Sequence, residues 1–108
     1  MKTFAEYQME ARKTATVHDP ALKVTYATMG LVGEAGELAN KVKKLMRGDD
    51  NRDELLAGVK SEMGDVLWYL SALADDLGIP LSDIAAENIV KLRDRQTRGK
   101  IKGGGDFR

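Results

Sequence analysis

Four carboxylates arranged as two pairs are the residues of this chain best suited to do chemistry. Glu34 and Glu37 form the first pair, and Glu62 and Asp65 form the second, each with i, i+3 spacing. On a helix this spacing places both side chains on one face, about one turn apart. Both pairs border rows of apolar residues, where a charge is costly unless something compensates it. A hard divalent cation with oxygen ligands is the usual compensation, so we interpret the four residues as a site for Mg²⁺ or Mn²⁺.

Glycines interrupt the same two segments. Gly33 and Gly36 flank Glu34, and Gly64 lies inside the second pair. A glycine within a helix costs about 1 kcal/mol relative to alanine, so several of them need a reason. Close approach of two helix backbones is one reason. An approach that also brings the four carboxylates around one metal cluster is the more specific one.

The type of metal chemistry follows from which ligands the chain offers. A ferritin-like di-iron site would need Glu-x-x-His pairs. The single histidine, His18, lies in a predicted loop and belongs to no such pair, so we expect an ordinary solvent-facing residue there. Sites for Mg²⁺ that use only oxygen ligands usually handle phosphates, because the metal offsets the charge of the phosphate oxygens.

Phosphate chemistry also needs fixed positive charge, which two polar rows could supply. Lys41 and Lys44 continue the acidic row of the first pair, and Asn88, Lys91 and Arg95 follow one face of a later helix. Placed opposite the carboxylates, these side chains would grip the β- and γ-phosphates of a nucleotide. The alternative for either row is an exposed helix face with ordinary charges. No glycine-rich loop precedes a lysine as a Walker motif requires, which excludes a P-loop NTPase.

Two aromatic residues, Trp68 and Tyr69, follow the second acidic pair. Aromatic side chains at such positions most often fill a core or an interface. The alternative is that one of them contributes to a pocket in which a base stacks.

Helical patterning covers most of the chain, and no stretch alternates with the period of two that is typical of strands. Helix 1 is predicted from an N-cap at Thr3, with Glu6 completing a capping box, to about Ala15. Helix 2 is predicted from about Ala21 to Arg47 with a bend near Thr28–Gly30, helix 3 from Asp53 to Leu77, and helix 4 from an N-cap at Ser82 to about Gln96. Helices 2 and 3 carry apolar seams with alternating steps of three and four, namely Leu31, Ala35, Leu38, Val42 and Leu45, then Leu56, Val59, Met63, Val66, Leu70, Leu73 and Leu77. These seams predict an all-α four-helix bundle that forms an oligomer.

Composition narrows the function classes. We predict one helical domain over residues 1–98 and an irregular glycine-rich tail over 99–108. Basic and acidic residues both number 17, so the chain lacks the basic excess of a protein that binds duplex nucleic acid. Cysteine is absent, which excludes disulfides and thiolate metal sites. There is no apolar run of the length of a signal peptide or a membrane span, so we expect a cytoplasmic protein with no membrane partner.

Three segments resemble a known family. The run GLVGEAGELANKVKKL followed by SEMGDVLWYLSALADDLGI is similar to the MazG-like all-α nucleoside triphosphate pyrophosphohydrolases, whose signature is ExxE, a spacer of one to three dozen residues, then ExxD. The spacer here, residues 38–61, fits that pattern. The segment NIVKLRDR resembles the fourth helix of the family, in which an Asn, a Lys and an Arg face the substrate. The resemblance extends from Tyr7 to the tail GGGDFR.

The resemblance implies an Mg²⁺-dependent enzyme that cleaves (d)NTPs between the α- and β-phosphates, yielding (d)NMP and pyrophosphate. The metal ligands and catalytic residues would be Glu34, Glu37, Glu62 and Asp65. One of the glutamates, or a metal-bound hydroxide directly, would deliver the attacking water to the α-phosphorus. The substrate phosphates would contact Lys41, Lys44, Asn88, Lys91 and Arg95. Relatives of this kind assemble as dimers or tetramers with sites near the subunit interface.

A second hypothesis treats the chain as a non-catalytic helical homo-oligomer that acts as an interaction module. In that case the acids serve solubility and partner choice. This hypothesis accounts for the apolar seams equally well. It does not account for glycines beside the acids, or for two separate acidic pairs at the border of the seams.

Overall fold

The computed structural model describes residues 1–48 and 51–99, and this part of the chain contains four helices and no strand. The helices are α1 (Phe4–Arg12), α2 (Lys23–Arg47), α3 (Arg52–Asp76) and α4 (Leu81–Thr97). The predicted all-α, four-helix architecture is confirmed. None of the described helices is both long and apolar enough to cross a bilayer. The predicted tail beyond Gly99, and residues 49–50 of the predicted loop before helix 3, lie outside the described residues.

Side chains and glycines set most of the helix ends as the sequence predicts. The amide of Glu6 donates to Thr3 Oγ1 over 3.1 Å, which confirms the N-cap of α1. Gly48 closes α2 in the left-handed conformation, with φ of 73°, which favours glycine. The N-cap of α3 is Asn51, whose side-chain oxygen accepts from the amides of Asp53 and Glu54.

Helix α1 is shorter than predicted, because a polar side chain after Arg12 turns the chain away from the helix. Thr14 Oγ1 donates to the carbonyl of Ala11 over 2.7 Å and accepts from Trp68 Nε1 over 2.8 Å. A hydroxyl that bonds locally to the backbone competes with helical hydrogen bonding. The segment that was expected to continue α1 to Ala15 therefore forms a turn against α3.

The start of α4 is fixed by a residue far away in sequence rather than by Ser82, so the predicted N-cap is wrong. Pro80 occupies the N-cap position and Ser82 lies inside the helix. The amide of Leu81 donates to Gln8 Oε1 over 2.9 Å, and Gln8 Nε2 donates to the carbonyl of Ile79 over 3.0 Å. The buried amide of Gln8 thus satisfies both backbone groups at the turn from α3 to α4.

Replacing Gln8 with alanine is expected to lower the free energy of unfolding by about 2 kcal/mol, because the buried amide of Leu81 loses its acceptor. Urea denaturation followed by circular dichroism measures this change. Glu10→Ala is the matched control on the same helix, since it removes only an exposed ion pair with Lys13. Equal stability of the two variants would contradict the capping role of Gln8.

Helices α2 and α3 form an antiparallel hairpin that is the main packed unit. Helix α1 lies against α3 and the start of α4, while α4 contacts only α1 and α3 and, among the described residues, does not touch α2. The radius of gyration is 16.6 Å, compared with about 13 Å for a compact domain of about 100 residues. A single chain therefore does not close into a bundle around one core.

The apolar seams are only partly covered within one chain. Among the residues that the structure describes, the buried apolar ones are Ala11, Ala27, Val59, Ala74 and Leu81. An open groove of about 630 Å³ runs along α2, lined by Ala35, Leu38, Ala39, Val42 and Met46, with Lys43 and Arg47 at its edge. We call this surface the apolar groove. On α3, Leu56 and Met63 of the predicted seam are also exposed.

Candidate metal centre

Three of the four predicted metal ligands meet where α2 faces α3. One carboxylate oxygen each from Glu34, Glu62 and Asp65 lies within 4.8 Å of the other two. Glu62 is buried, with 8 % of its surface exposed, while Glu34 is half-buried and Asp65 is exposed. The cluster thus has a buried floor and an open side from which a ligand can enter.

The fourth predicted ligand, Glu37, lies outside this group of three. It is exposed and follows Glu34 by about one helical turn on α2. Its charge is nevertheless felt, because repulsion from Glu37 is among the causes that raise the pKa of Glu34. The structure therefore brings together three carboxylates at close range and leaves a fourth at the entrance.

Crowding of like charges decides the electrostatics of the cluster. A hydrogen bond to Glu62 is the main cause that raises the pKa of Glu34, followed by burial and by repulsion from neighbouring carboxylates. The same hydrogen bond, together with one from Lys41, lowers the pKa of Glu62. A proton shared by two carboxylates is what such a site holds when no other cation is present.

Lys41 satisfies only one half of the buried carboxylate. Its Nζ lies 3.0 Å from Glu62 Oε1. The second oxygen, Glu62 Oε2, is buried and has no hydrogen-bond donor in the described part of the chain when the carboxylates are ionised. An acceptor that is buried without a partner is costly, and a divalent cation held jointly with Glu34 and Asp65 would satisfy it. The donor set consists of carboxylates only and therefore fits Mg²⁺ or Mn²⁺.

The glycines beside the acids do not mark close helix contacts within the chain, so this part of the sequence analysis is wrong. A Cβ atom added at Gly33, Gly36 or Gly64 would meet no atom within 4 Å. The glycine that does allow close approach is Gly30, where an added Cβ would overlap the ring of Tyr69. Gly30 lies one turn before Glu34. The sequence predicts a bend in helix 2 near this residue, whereas α2 continues through it.

The candidate phosphate-binding residues fall into two groups. Lys41 adjoins the carboxylates, and Lys44 is exposed one turn further along α2. Asn88 is exposed, Lys91 half-buried and Arg95 buried, all on α4. Within the described chain the α4 backbone packs against α1 and α3 and not against α2, the helix that carries Glu34. His18, which was assigned no role, is exposed as expected.

An aromatic pair that the sequence analysis did not identify adjoins the carboxylates. The rings of Tyr26 on α2 and Tyr69 on α3 have centroids 6.2 Å apart. Nearby Glu34 and Asp65 are among the causes that raise the pKa of Tyr69, although its hydrogen bond with Tyr26 is the largest. The only signal in the sequence was that Tyr26, Gly30 and Glu34 share one helix face through steps of four.

We expect Mg²⁺ to raise the melting temperature by about 5 °C or more at ten times its Kd. The gain should be smaller at pH 5 than at pH 7.5. The pKa of Glu34 is raised above 4.5 in the folded chain, so its stabilising proton is bound at low pH and lost as the pH rises through that raised value. At pH 5 Mg²⁺ has to displace the proton that stabilises the cluster. At pH 7.5 that proton has already been lost, and Mg²⁺ takes its place.

Differential scanning fluorimetry with and without Mg²⁺ at the two pH values, at constant ionic strength, measures this effect. The control is Glu87→Gln, which removes an exposed acid on α4 and should keep the Mg²⁺ response. A response that is equal at both pH values, or that is absent, would contradict the proposed centre.

Comparison with known proteins places the chain among relatives of matching length. A family model described as the MazG nucleotide pyrophosphohydrolase domain matches residues 24–99. The "Gene 37 protein" of Mycobacterium phage L5 is 46% identical over 113 residues, covering 94% of this chain and 96% of the phage protein. The "Uncharacterized protein YvdC" of Bacillus subtilis (strain 168) is 32% identical over 102 residues, covering 88% of each. No solved structure matches the chain. Neither relative's name states an activity.

Proposed function

The chain belongs to the MazG nucleotide pyrophosphohydrolase family, and on that premise we propose that it hydrolyses (d)NTPs between the α- and β-phosphates. The products are a (d)NMP and pyrophosphate. The observation that carries the proposal is the cluster of Glu34, Glu62 and Asp65, with the unsatisfied oxygen of Glu62 at its floor. An interaction module would have no need of a buried carboxylate oxygen without a hydrogen-bond partner.

Glu34, Glu62 and Asp65 would hold Mg²⁺, with Glu37 as the remaining candidate ligand at the entrance. When bound, Mg²⁺ would lower the pKa of a coordinated water and offset charge on the phosphates. Mn²⁺ fits the same oxygen donors.

A carboxylate of the cluster would act as the general base for the attacking water. The water oxygen forms a bond to the α-phosphorus, and the bond from that phosphorus to the bridging oxygen breaks, so that pyrophosphate leaves. Glu37 is exposed beside the cluster, and Glu34 is half-buried at its open side, so either carboxylate could reach a water molecule that enters there. These two residues are therefore the candidates for the base.

Lysines of α2 would neutralise the leaving phosphates. Lys41 would exchange its ion pair with Glu62 for a phosphate oxygen when the cation takes over that carboxylate. Lys44 lies one turn further along the same helix face. We infer that the exposed Asn88 and the half-buried Lys91 reach the phosphates from a second copy of the chain, because the α4 backbone does not approach α2 of its own subunit. Arg95 is buried in its own subunit and would hold this row of α4 in position.

Self-association is the second part of the proposal. The apolar groove on α2 and the exposed seam residues of α3 would be covered by another subunit, as a dimer or a tetramer. Apolar surfaces of this extent in a soluble chain usually mark an interface between proteins. A non-catalytic homo-oligomer would use the same groove, but it would leave the carboxylate cluster unexplained.

The test is a panel of canonical and modified NTPs and dNTPs assayed for pyrophosphate with Mg²⁺, with Mn²⁺ and with a chelator. We expect metal-dependent release of pyrophosphate in equal amount to the nucleoside monophosphate. Release of inorganic phosphate instead would show a different bond being cleaved. No turnover of any nucleotide, with no heat on titration of Mg²⁺ and a non-hydrolysable analogue, would favour the interaction module.

A further inference from the structure

The aromatic residues beside the metal centre form a fixed group with one open ring. Tyr69 lies over the backbone of Gly30, in the space that the missing side chain leaves. Trp68 packs edge-on against it, with ring centroids 5.0 Å apart, and Trp68 is itself held by the hydrogen bond to Thr14. Tyr69 is thereby restrained on two sides.

Tyr26 is the exposed member of this group. Its ring is tilted by 50° against Tyr69, and 47% of its surface is accessible. An exposed aromatic ring that is fixed by neighbours loses little entropy when a planar ligand stacks on it.

The position of Tyr26 fits the length of a nucleotide that is held by its phosphates at the acids. Tyr26, Gly30 and Glu34 lie on one row of α2, and eight residues of helix span about 12 Å. Helical side chains lean toward the N-terminus, so the ring lies on the side away from the carboxylates. Because Gly30 has no side chain, the ring of Tyr69 occupies the space on this row between Tyr26 and Glu34.

A small recess beside Tyr26 is lined by one positively and one negatively charged side chain. Lys23 and Asp76 line it, together with Thr16 and the aliphatic wall of Ala72. A cation and a carboxylate at the edge of a stacking surface are what hydrogen bonding to a base requires, because bases present both acceptors and donors.

We propose that the exposed ring of Tyr26 is the surface on which the nucleobase of the substrate stacks. Tyr69 is the positioning residue that holds it, and Lys23 and Asp76 meet the edge of the base. This assignment rests on the proposed function, since it takes the phosphates to lie at the carboxylates. Any base can stack on the ring of Tyr26, so the ring contributes affinity for nucleotides in general. The recess beside it contributes the preference among bases.

The experiment compares two ligands by calorimetry in the presence of Mg²⁺. One is a non-hydrolysable nucleoside triphosphate, and the other is inorganic tripolyphosphate, which has no base. For Tyr26→Ala we expect the Kd of the nucleotide to rise about 5- to 150-fold, the range of base–aromatic stacking, with the Kd of tripolyphosphate unchanged within twofold. Tyr26→Phe keeps the ring and should bind both ligands like the wild type.

Tyr26→Leu keeps apolar bulk without a stacking face and serves where the alanine variant fails to fold. It should show the same selective loss. An equal loss for both ligands, or no loss for either, would overturn the role of Tyr26. If the wild type binds no nucleotide and releases no pyrophosphate, the proposed function itself fails. If the wild type is active and Tyr26→Ala binds nucleotides normally, only the present assignment fails.

Discussion

Glu62→Gln is expected to abolish pyrophosphate release, with kcat lowered at least about 1000-fold. Glu62 is the buried member of the cluster, and its Oε2 has no other partner in the described chain. Glutamine keeps the shape of the side chain but replaces one oxygen by a hydrogen-bond donor and removes the charge. The proposed metal site then loses its buried carboxylate, while the carboxylates of Glu34 and Asp65 remain.

The same substitution should leave the metal-free protein folded, which separates a chemical effect from a structural one. The substitution removes the repulsion between Glu62 and its neighbouring carboxylates but also the ion pair with Lys41, so the melting temperature without Mg²⁺ should change little. Lys41 loses its partner but is 37% exposed and can turn to water. Steady-state kinetics together with thermal denaturation, with Glu87→Gln as control, measure both effects. Turnover within tenfold of the wild type would refute the catalytic role of the cluster.

Ala39→Lys is expected to convert the proposed oligomer to monomers and to remove activity with it. Ala39 lies in the apolar groove and is exposed in a single chain, so the new side chain meets no intramolecular obstacle. In an assembly the same position would bury an unpaired charge in an apolar contact, which is strongly unfavourable. Activity should fall because the polar row of α4 would no longer reach the carboxylates of a neighbouring subunit.

Asn40→Lys is the matched control, because it adds the same side chain at the next position, which is exposed but does not line the groove. Sedimentation equilibrium and pyrophosphate assays on both variants provide the readout. We expect only Ala39→Lys to give the monomer mass. If both variants retain the mass of the wild type, the groove is not the contact between subunits.

The helices could be predicted from the sequence because their signals are local. The alternating steps of three and four in the apolar seams, the cap at Thr3 and the terminating Gly48 each act within a turn or two. The meeting of Glu34, Glu62 and Asp65 could be predicted for the same reason, because each acidic pair lies beside the seam through which α2 and α3 pack.

The features that the sequence did not reveal all depend on contacts between distant segments. Gln8 serves as the cap of α4 across a separation of 73 residues, so Ser82 only resembled a cap locally. Gly30 marks the place where Tyr69 crosses α2, whereas the glycines beside the acids face open space. The seam pattern likewise predicts which side chains are apolar, but not which of them the chain itself covers.

The hydrogen bonds of Gln8 to the turn from α3 to α4 also constrain the order in which the helices pack during synthesis. The amide of this early residue pairs with backbone groups of Ile79 and Leu81, which leave the ribosome only after α2 and α3 are complete. Closing so long a loop is entropically costly until intervening segments have paired. The first helix to be translated should therefore dock only after α3 has formed, because α3 supplies contacts such as that between Thr14 and Trp68, and the bonds of Gln8 to the start of α4 should form last.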